Sequence, residues 1–353
     1  MKPLLTVIVP CYNVEKQIDK SIKSIVEQTY SELEIVLIDD GSSDSTGDIC
    51  DLWQKRDHRI KVIHKQNEGL AYARKTGIEN ATANFITFVD ADDWIDLNMY
   101  KNMMNALLTT NSDITLCDLA LVYENGEIEY RTQKKYTNSI KILGHDEGVI
   151  LILQDLWQTS FSTKIFKKEL FNDVIFPKGR NYGEDLIIHH LFHNATQSVL
   201  IDNAFYFYFQ RSGSITQQGN IKEELKKISE NSDAFYERYS FVKQFPQYNR
   251  ALPFVAYMTT HIGISLVRNM IAFPQHFSNE YFKLKAEQLR SIPFKEYRNR
   301  LKRKPKIEMF MLKFSRRSYK FIIKTFLVII TLTNKLKITN QQIGWFLKDE
   351  NFW

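Results

Sequence analysis

Between Leu4 and Val89 the sequence alternates short apolar runs with amphipathic stretches, and this alternation constrains the fold more than any other feature. Leu4 to Val9, Glu34 to Ile38, Ile60 to His64 and Phe85 to Val89 are apolar, mostly β-branched segments that read as strands. Between them, Ile18, Ile22, Ile25 and Val26 share one helical face, Ile49, Leu52 and Trp53 mark a short helix, and Leu70 to Asn80 forms a third. Strand and helix repeated without long gaps predict an α/β fold with a parallel, doubly wound sheet and right-handed crossovers.

In such sheets ligands bind beyond the carboxyl ends of the strands. Pro10 to Asn13, Asp39 to Asp44 and Asp90 to Asp93 all fall at that edge, so three polar clusters converge on one crevice. The third is the most telling, because the buried-strand pattern Phe85 to Val89 runs directly into Asp90, Asp92 and Asp93. Carboxylates so close together disfavour joint ionisation unless a cation sits between them. An Asp-x-Asp pair is a good hard-metal ligand set, since Mg²⁺ and Mn²⁺ favour carboxylate oxygens and substrate phosphates. Dehalogenase-like phosphatases also place Asp-x-Asp after an apolar strand. They require a Thr or Val soon afterwards, and Asp93-Trp94 does not supply it.

Downstream, Met99 to Leu108 reads as a helix, Asp113 to Tyr123 as a strand, and Asn125-Gly126 as a two-residue hairpin turn. Lys167 to Asn172 and Glu184 to His193 are expected helices, Val199 to Ile201 and Phe205 to Phe209 expected strands, and Arg211 to Gly219 a loop. From Ile221 the pattern changes to helices separated by breaks at Pro246, Pro253, Pro274 and Pro293. A boundary near residue 220 gives domains 1–220 and 221–353, which suits a 353-residue chain at about 150 residues per domain.

Several residues keep two readings open on local pattern alone. Asp40 can accept a hydrogen bond from a base N–H, or Asp39 to Asp44 can simply form a turn and cap the next helix. Tyr12 can stack on a nucleobase or pack. Glu184 and Asp185 follow Gly183 at a helix start, where carboxylates are stabilised by the helix dipole, yet one placed opposite a leaving group can deprotonate a hydroxyl. His189 and His193 have metal-ligand spacing but no matching third ligand. Cys11, Cys50 and Cys117 lie far apart without metal-type spacing and read as buried residues of a reducing compartment.

The chain resembles family 2 glycosyltransferases, inverting enzymes of the GT-A fold found widely in bacterial polysaccharide synthesis. The resemblance is carried by TVIVPCYNVE, SIVEQTYSELEIVLIDDGSSDST, NEGLAYARKTGIENATANFITFVDADDW, NYGEDLIIHHLF and RSGSIT, in that order over about the first 220 residues. It implies a GT-A domain and a UDP-sugar donor. Pro10, Tyr12 and Asp40 would form the uracil pocket with help from Asp39, and Arg74 would lie near the nucleotide. Asp90 and Asp92 would hold Mn²⁺ or Mg²⁺ against the diphosphate, Asp92 more directly. Asp185 corresponds to the catalytic base, Glu184 would orient the acceptor, and Arg211 would belong to a loop closing over the diphosphate. Lys75 departs from the family's Ala-Arg-Asn pattern. The rival reading is a non-catalytic nucleotide-sugar-binding module that has kept the fold.

The net charge of +6 concentrates late in the chain, where Arg298, Arg300, Lys302, Arg303, Lys304, Lys306, Lys313, Arg316 and Arg317 face only Glu296 and Glu308. With the apolar Phe321 to Leu332, the segment 295–332 can lie on an anionic membrane, or pack as a helical subdomain with a solvated basic face. No nucleic-acid recognition motif accompanies the charge. The N-terminus shows neither a charged leader nor a long apolar region, so no secretory signal is expected. The whole reads as a cytoplasmic bacterial enzyme, peripheral on the inner membrane face, that extends a glycan or lipid-linked glycan.

Overall fold

The computed structural model describes residues 2–130, 136–178, 180, 183–210, 221–297 and 300. Arg211 and most of the basic segment 295–332 lie outside the described residues. The chain divides into two compact units, Met1–Gln218 and Gly219–Trp353.

The first unit opens with β1 (Leu5–Cys11), α1 (Ile18–Val26), β2 (Leu33–Asp39), α2 (Thr46–Arg56), β3 (Ile60–His64), α3 (Leu70–Asn80) and β4 (Phe85–Phe88). It continues through β5 (Trp94–Ile95), α4 (Met99–Thr110), β6 (Ile114–Tyr123), β7 (Ile128–Tyr130), β8 (Ile140–Gly144) and α5 (His145–Leu153). A 3₁₀ turn (Phe161–Thr163) leads into β9 (Lys164–Lys167), a second 3₁₀ turn (Lys168–Phe171), α6 (Glu184–Asn194) and β10 (Gln197–Gln210). The strands form one mixed sheet in the order β3, β2, β1, β4, β9, β6, β10, β5, with β7 on β6 and β8 on β10. β1 to β4 are mutually parallel. β9 runs antiparallel to both β4 and β6, so β6, and β10 parallel to it, point the same way as β1.

Every residue of β1 is buried, as expected of a central strand covered on both faces. On α1, Ile18, Ile22 and Ile25 are fully buried, and each such side chain stabilises the fold by about 1.5–3 kcal/mol. α3 lies so close to β1 that a Cβ at Gly77 would collide with the Ile8 side chain, which explains a glycine inside a helix. The three cysteines are free and buried.

The four early strands, α1 and α3 match the sequence pattern to within two residues at each end, and α2 extends three residues beyond Ile49 and Trp53 on either side. Beyond β6 the match loosens. β10 is continuous where two strands were expected, because register shifts between Leu200 and Tyr206 absorb the polar Asp202-Asn203 pair. Asp202 accepts hydrogen bonds from the Thr137 amide and hydroxyl, which satisfies it without a turn. The expected helix Lys167 to Asn172 is the end of β9 followed by a 3₁₀ turn.

The second unit contains α7 (Ile221–Gln244), α8 (Leu252–Ala272) and α9 (Asn279–Ser291), joined through 3₁₀ turns at Pro246–Tyr248 and Pro274–His276. Pro253 does not break the chain as expected. It sits in the first turn of α8, where the N–H it lacks has no helical partner to lose. Among the described residues no helix is long and apolar enough to cross a membrane.

Candidate active site

The carboxyl edge of the sheet gathers the sequence-predicted polar clusters. At the end of β1, Pro10 is buried and Tyr12 stands 51% exposed. Asn13 takes a left-handed conformation and laces this loop to the one after β2, its Oδ1 accepting from the Ser43 amide at 2.8 Å and its own amide donating to Ser42 Oγ at 3.2 Å. Gly41 turns the second loop at φ +73°, and a Cβ there would come within 2.9 Å of the Asn67 amide nitrogen.

Asp39 and Asp40 diverge. Asp39 accepts from the Ser42 amide at 3.0 Å and meets His64 Nδ1 at 2.8 Å, while Asp51 meets the other ring nitrogen of His64 at 3.1 Å. Burial alone would raise the Asp39 carboxyl, but the hydrogen bonds from Ser42 and His64 outweigh it and hold the group below the ordinary range. Hydrogen bonds to Asp39 and then Asp51 raise the His64 imidazole. Asp44 Oδ1 accepts from the Thr46 amide at 3.0 Å, closing a turn just ahead of α2, whose N-cap Ser45 makes no side-chain cap hydrogen bond. Asp40 is 3% exposed and receives the Gly69 amide at 2.9 Å, the Glu68 amide at 3.1 Å and Lys65 Nζ at 3.0 Å. The Glu68 amide also reaches Oδ2 at 3.3 Å, so the four hydrogen bonds match the about four acceptor positions a carboxylate offers.

The acids after β4 are sorted by their surroundings. Asp93 is buried, takes the Tyr206 hydroxyl at 2.6 Å and the Phe209 amide at 2.8 Å, and so ties the loop to β10. Burial, together with the charges of Asp92 and Asp90, pushes its carboxyl up. Asp90 Oδ1 is held by Arg74 Nη2 at 2.8 Å and Oδ2 accepts from Ser162 Oγ at 3.2 Å. Asp92 is half-buried. Repulsion within the trio is thus relieved partly by the protein itself, through Arg74 and through Asp93's tendency to stay protonated.

Arg74 links the two ends of the site. Its guanidinium, 3% exposed, also holds Glu184 Oε2 at 2.8 Å through Nη1, across 110 residues of sequence. It stands 5.7 Å from the Phe161 ring and 6.0 Å from the Phe88 ring, and its Nε has no hydrogen-bond partner among the described residues. Burial raises the Glu184 carboxyl even with Arg74 alongside. Asp185, in the first turn of α6, accepts from Thr159 Oγ1 at 2.5 Å.

Pro10 and Asp39 therefore lie at the ends of β1 and β2, with Tyr12 and Asp40 in the loops that follow, while Asp90, Arg74 and Glu184 form one hydrogen-bonded group with Asp185 beside it in sequence. Sequence reading passed over Thr159, Ser162 and Lys164, which contribute to that group or support it. The local signal was the hydroxyl run Thr159-Ser160-Phe161-Ser162-Thr163. His193, considered as a metal ligand, packs its ring 5.7 Å from that of His145.

The donor chemistry of the acids after β4 fits a hard divalent ion. Asp90 and Asp92 offer carboxylate oxygens at the strand end, and Asp93's hydrogen bonds fix the loop that carries both. Both Asp90 oxygens have protein partners, Arg74 and Ser162.

Residues 6–175 match the family described as Glycosyl transferase family 2. Glycosyltransferase GlyG of Streptococcus pneumoniae serotype 4 is 30% identical over 273 residues, covering 72% of this chain and 90% of GlyG. The uncharacterized glycosyltransferase EpsJ of Bacillus subtilis is 31% identical over 252 residues, 68% of this chain and 71% of EpsJ. Among solved structures, S. aureus TarS 1-349 in complex with UDP-GlcNAc superposes with a TM-score of 0.56 at 20% identity, covering 82% of this chain and 90% of that one. That likeness establishes the GT-A type of fold. The chain belongs to glycosyltransferase family 2, and it is a glycosyltransferase.

Proposed function

We propose that the enzyme is a metal-dependent, inverting glycosyltransferase that moves a sugar from a UDP-sugar to a hydroxyl of a glycan or lipid-linked glycan, in the synthesis of a bacterial cell-envelope polysaccharide. The observation that carries this reading is the Arg74 bridge. It joins the Asp-x-Asp acid Asp90 to Glu184, the neighbour of Asp185, so that two acidic motifs far apart in sequence serve one crevice. The UDP-GlcNAc bound to TarS supports the choice of donor.

In this reading Pro10, Tyr12 and Asp40 take the uracil, with Asp39 shaping the loop around them. Asp90 and Asp92 would hold Mn²⁺ or Mg²⁺, which when bound neutralises charge on the departing diphosphate. Asp185 removes the acceptor's proton as the hydroxyl attacks the anomeric carbon from the face opposite UDP, a contribution of about 10²–10⁴ in rate. Glu184, locked to Arg74 and the Phe161 amide, serves the architecture around the acceptor rather than the proton transfer. Arg211 belongs to the loop that closes over the diphosphate. Residues 1–220 form the catalytic domain, and 221–353 a domain that docks the acceptor or an anionic membrane surface through 295–332.

The test pairs binding with turnover. Asp185→Asn should abolish UDP release from UDP-N-acetylglucosamine, UDP-glucose and UDP-galactose, while calorimetric titration still detects UDP binding in Mn²⁺ that is lost on chelation. Wild-type turnover in this variant removes Asp185 from the mechanism. Wild-type UDP affinity in EDTA removes the metal.

A further inference from the structure

One hydroxyl holds both ends of the turn that carries the acids after β4. The Asp93 amide donates to the Asp90 carbonyl at 2.9 Å, so Asp90 to Asp93 is a closed β-turn with Ala91 and Asp92 at its central positions. The Tyr206 hydroxyl donates to Asp93 Oδ2 at 2.6 Å and accepts from the Asp90 amide at 3.1 Å. A phenol has one proton to give, and here it goes to the last residue of the turn while the oxygen takes the N–H of the first. Three residues further along β10, the Phe209 amide donates to Asp93 Oδ1 at 2.8 Å. Ala91, Asp93 and Tyr206 are all buried, and the Tyr206 backbone pairs with Ile95 on β5, just beyond the turn. The paired strands thus hold the ring where its oxygen spans the turn.

We infer that Tyr206 is a positioning residue for the metal: by clamping Asp90 and Asp93 it fixes the turn between them, and so sets how tightly Asp90 and Asp92 take Mn²⁺. The inference rests on the reading of those two acids as the metal's ligands. Ligands on a turn that can open have to be gathered when the ion arrives, at a cost in conformational freedom. Ligands on a turn already closed need no further ordering. Groups that orient metal ligands without touching the ion change its affinity about 10–100-fold when they are removed.

The experiment uses the full chain, Mn²⁺ as the metal and UDP as the nucleotide. Tyr206→Phe removes one oxygen and keeps the buried ring, so it is compatible with folding. Tyr30→Phe is its control, because it also takes the hydroxyl from a buried tyrosine, one that donates to the Pro3 carbonyl ahead of β1. The EPR signal of unbound Mn²⁺, titrated into enzyme with UDP and corrected for Mn²⁺ on UDP alone, should report affinity about 10–100-fold weaker in Tyr206→Phe. UDP affinity in EDTA should stay within about twofold, and turnover should return to near the wild-type rate once Mn²⁺ is raised to saturation. Tyr30→Phe should bind Mn²⁺ as the wild type does. The proposal is overturned by unchanged Mn²⁺ affinity in Tyr206→Phe, by an equal loss in Tyr30→Phe, or by UDP affinity in EDTA that falls in step with the metal's. Asp92→Asn measured alongside keeps the two ideas apart. Wild-type UDP affinity that is the same in Mn²⁺ and in EDTA removes the metal and this role with it, whereas weakened Mn²⁺ binding in Asp92→Asn beside full binding in Tyr206→Phe removes only the positioning role.

Discussion

Arg74 Nη2 lies 2.8 Å from Asp90 Oδ1, joining the buried face of α3 to the loop that follows β4. The guanidinium is shared with Glu184, so its removal strands two acids rather than one. Desolvation works against the charge of Arg74, and the attraction of Glu184 and Asp90 overcomes it. Breaking a buried ionic group by deleting one partner costs about 3–5 kcal/mol, and Arg74→Met is expected to lose stability on that scale. Adding Glu184→Gln should return part of the loss, because a neutral amide tolerates burial better than an unpaired carboxylate. Urea unfolding of the single and double variants measures both effects. An Arg74→Met protein within about 0.5 kcal/mol of wild type would show that the bridge carries no net stability.

His64 and Asp39 make stability depend on pH in a defined direction. The His64 pKa is raised above its ordinary 6.5 by Asp39 first and Asp51 second. Its contribution is fully present below the unfolded value and is lost as pH rises through the raised native one. Asp39 is depressed below 3.8, burial opposing the shift and the Ser42 and His64 hydrogen bonds winning, so its contribution holds above 3.8 and disappears as pH falls through the lowered native value. The urea midpoint should therefore fall between neutral and mildly alkaline pH in the wild type and stay flat there in His64→Gln. A constant gap between the two proteins across that window would mean His64 never gains charge on folding.

The basic segment makes a separate claim about location. Each Lys or Arg near an anionic bilayer contributes about 1 kcal/mol, so replacing Lys302, Arg303, Lys304 and Lys306 by Gln should lower partitioning onto phosphatidylserine vesicles by well over tenfold at low salt. Sedimentation with vesicles reads this directly. Equal partitioning of both proteins would leave the charge as a solvated face.

What could be read from sequence followed from how each part is stabilised. Buried parallel strands such as β1 and β2 need apolar residues at every position, which leaves a run visible without any partner. The Asp90 to Asp93 cluster was equally plain, because its neighbours on the N-terminal side were a strand. β9 was hidden for the opposite reason. It is four residues long, Lys164 to Lys167, with a lysine at each end, and nothing local announces that Lys164 is buried on three backbone and side-chain acceptors of its own turn. β5 is two residues and exists only because β10 pairs with it. α5 was missed because His145 to Leu153, HDEGVILIL, places its polar residues in the first turn and then a continuous apolar run, which shows no helical period. The link from Arg74 to Glu184 spans 110 positions and lies beyond any local pattern.

Tyr206 donates its hydroxyl to Asp93 and accepts the Asp90 amide at 3.1 Å, while β5 pairs with Tyr206 and Phe207. The acid-bearing turn is therefore sealed by a strand made more than a hundred residues later, a separation of 113 between Asp93 and Tyr206. During synthesis β1 to β4 can pair before β10 exists, since all four lie within the first 88 residues. The Asp93 carboxylate and the Asp90 amide gain these partners only once β10 has left the ribosome. Competence to bind a charged substrate thus arrives last, so an unfinished chain has a formed sheet before it has a formed site.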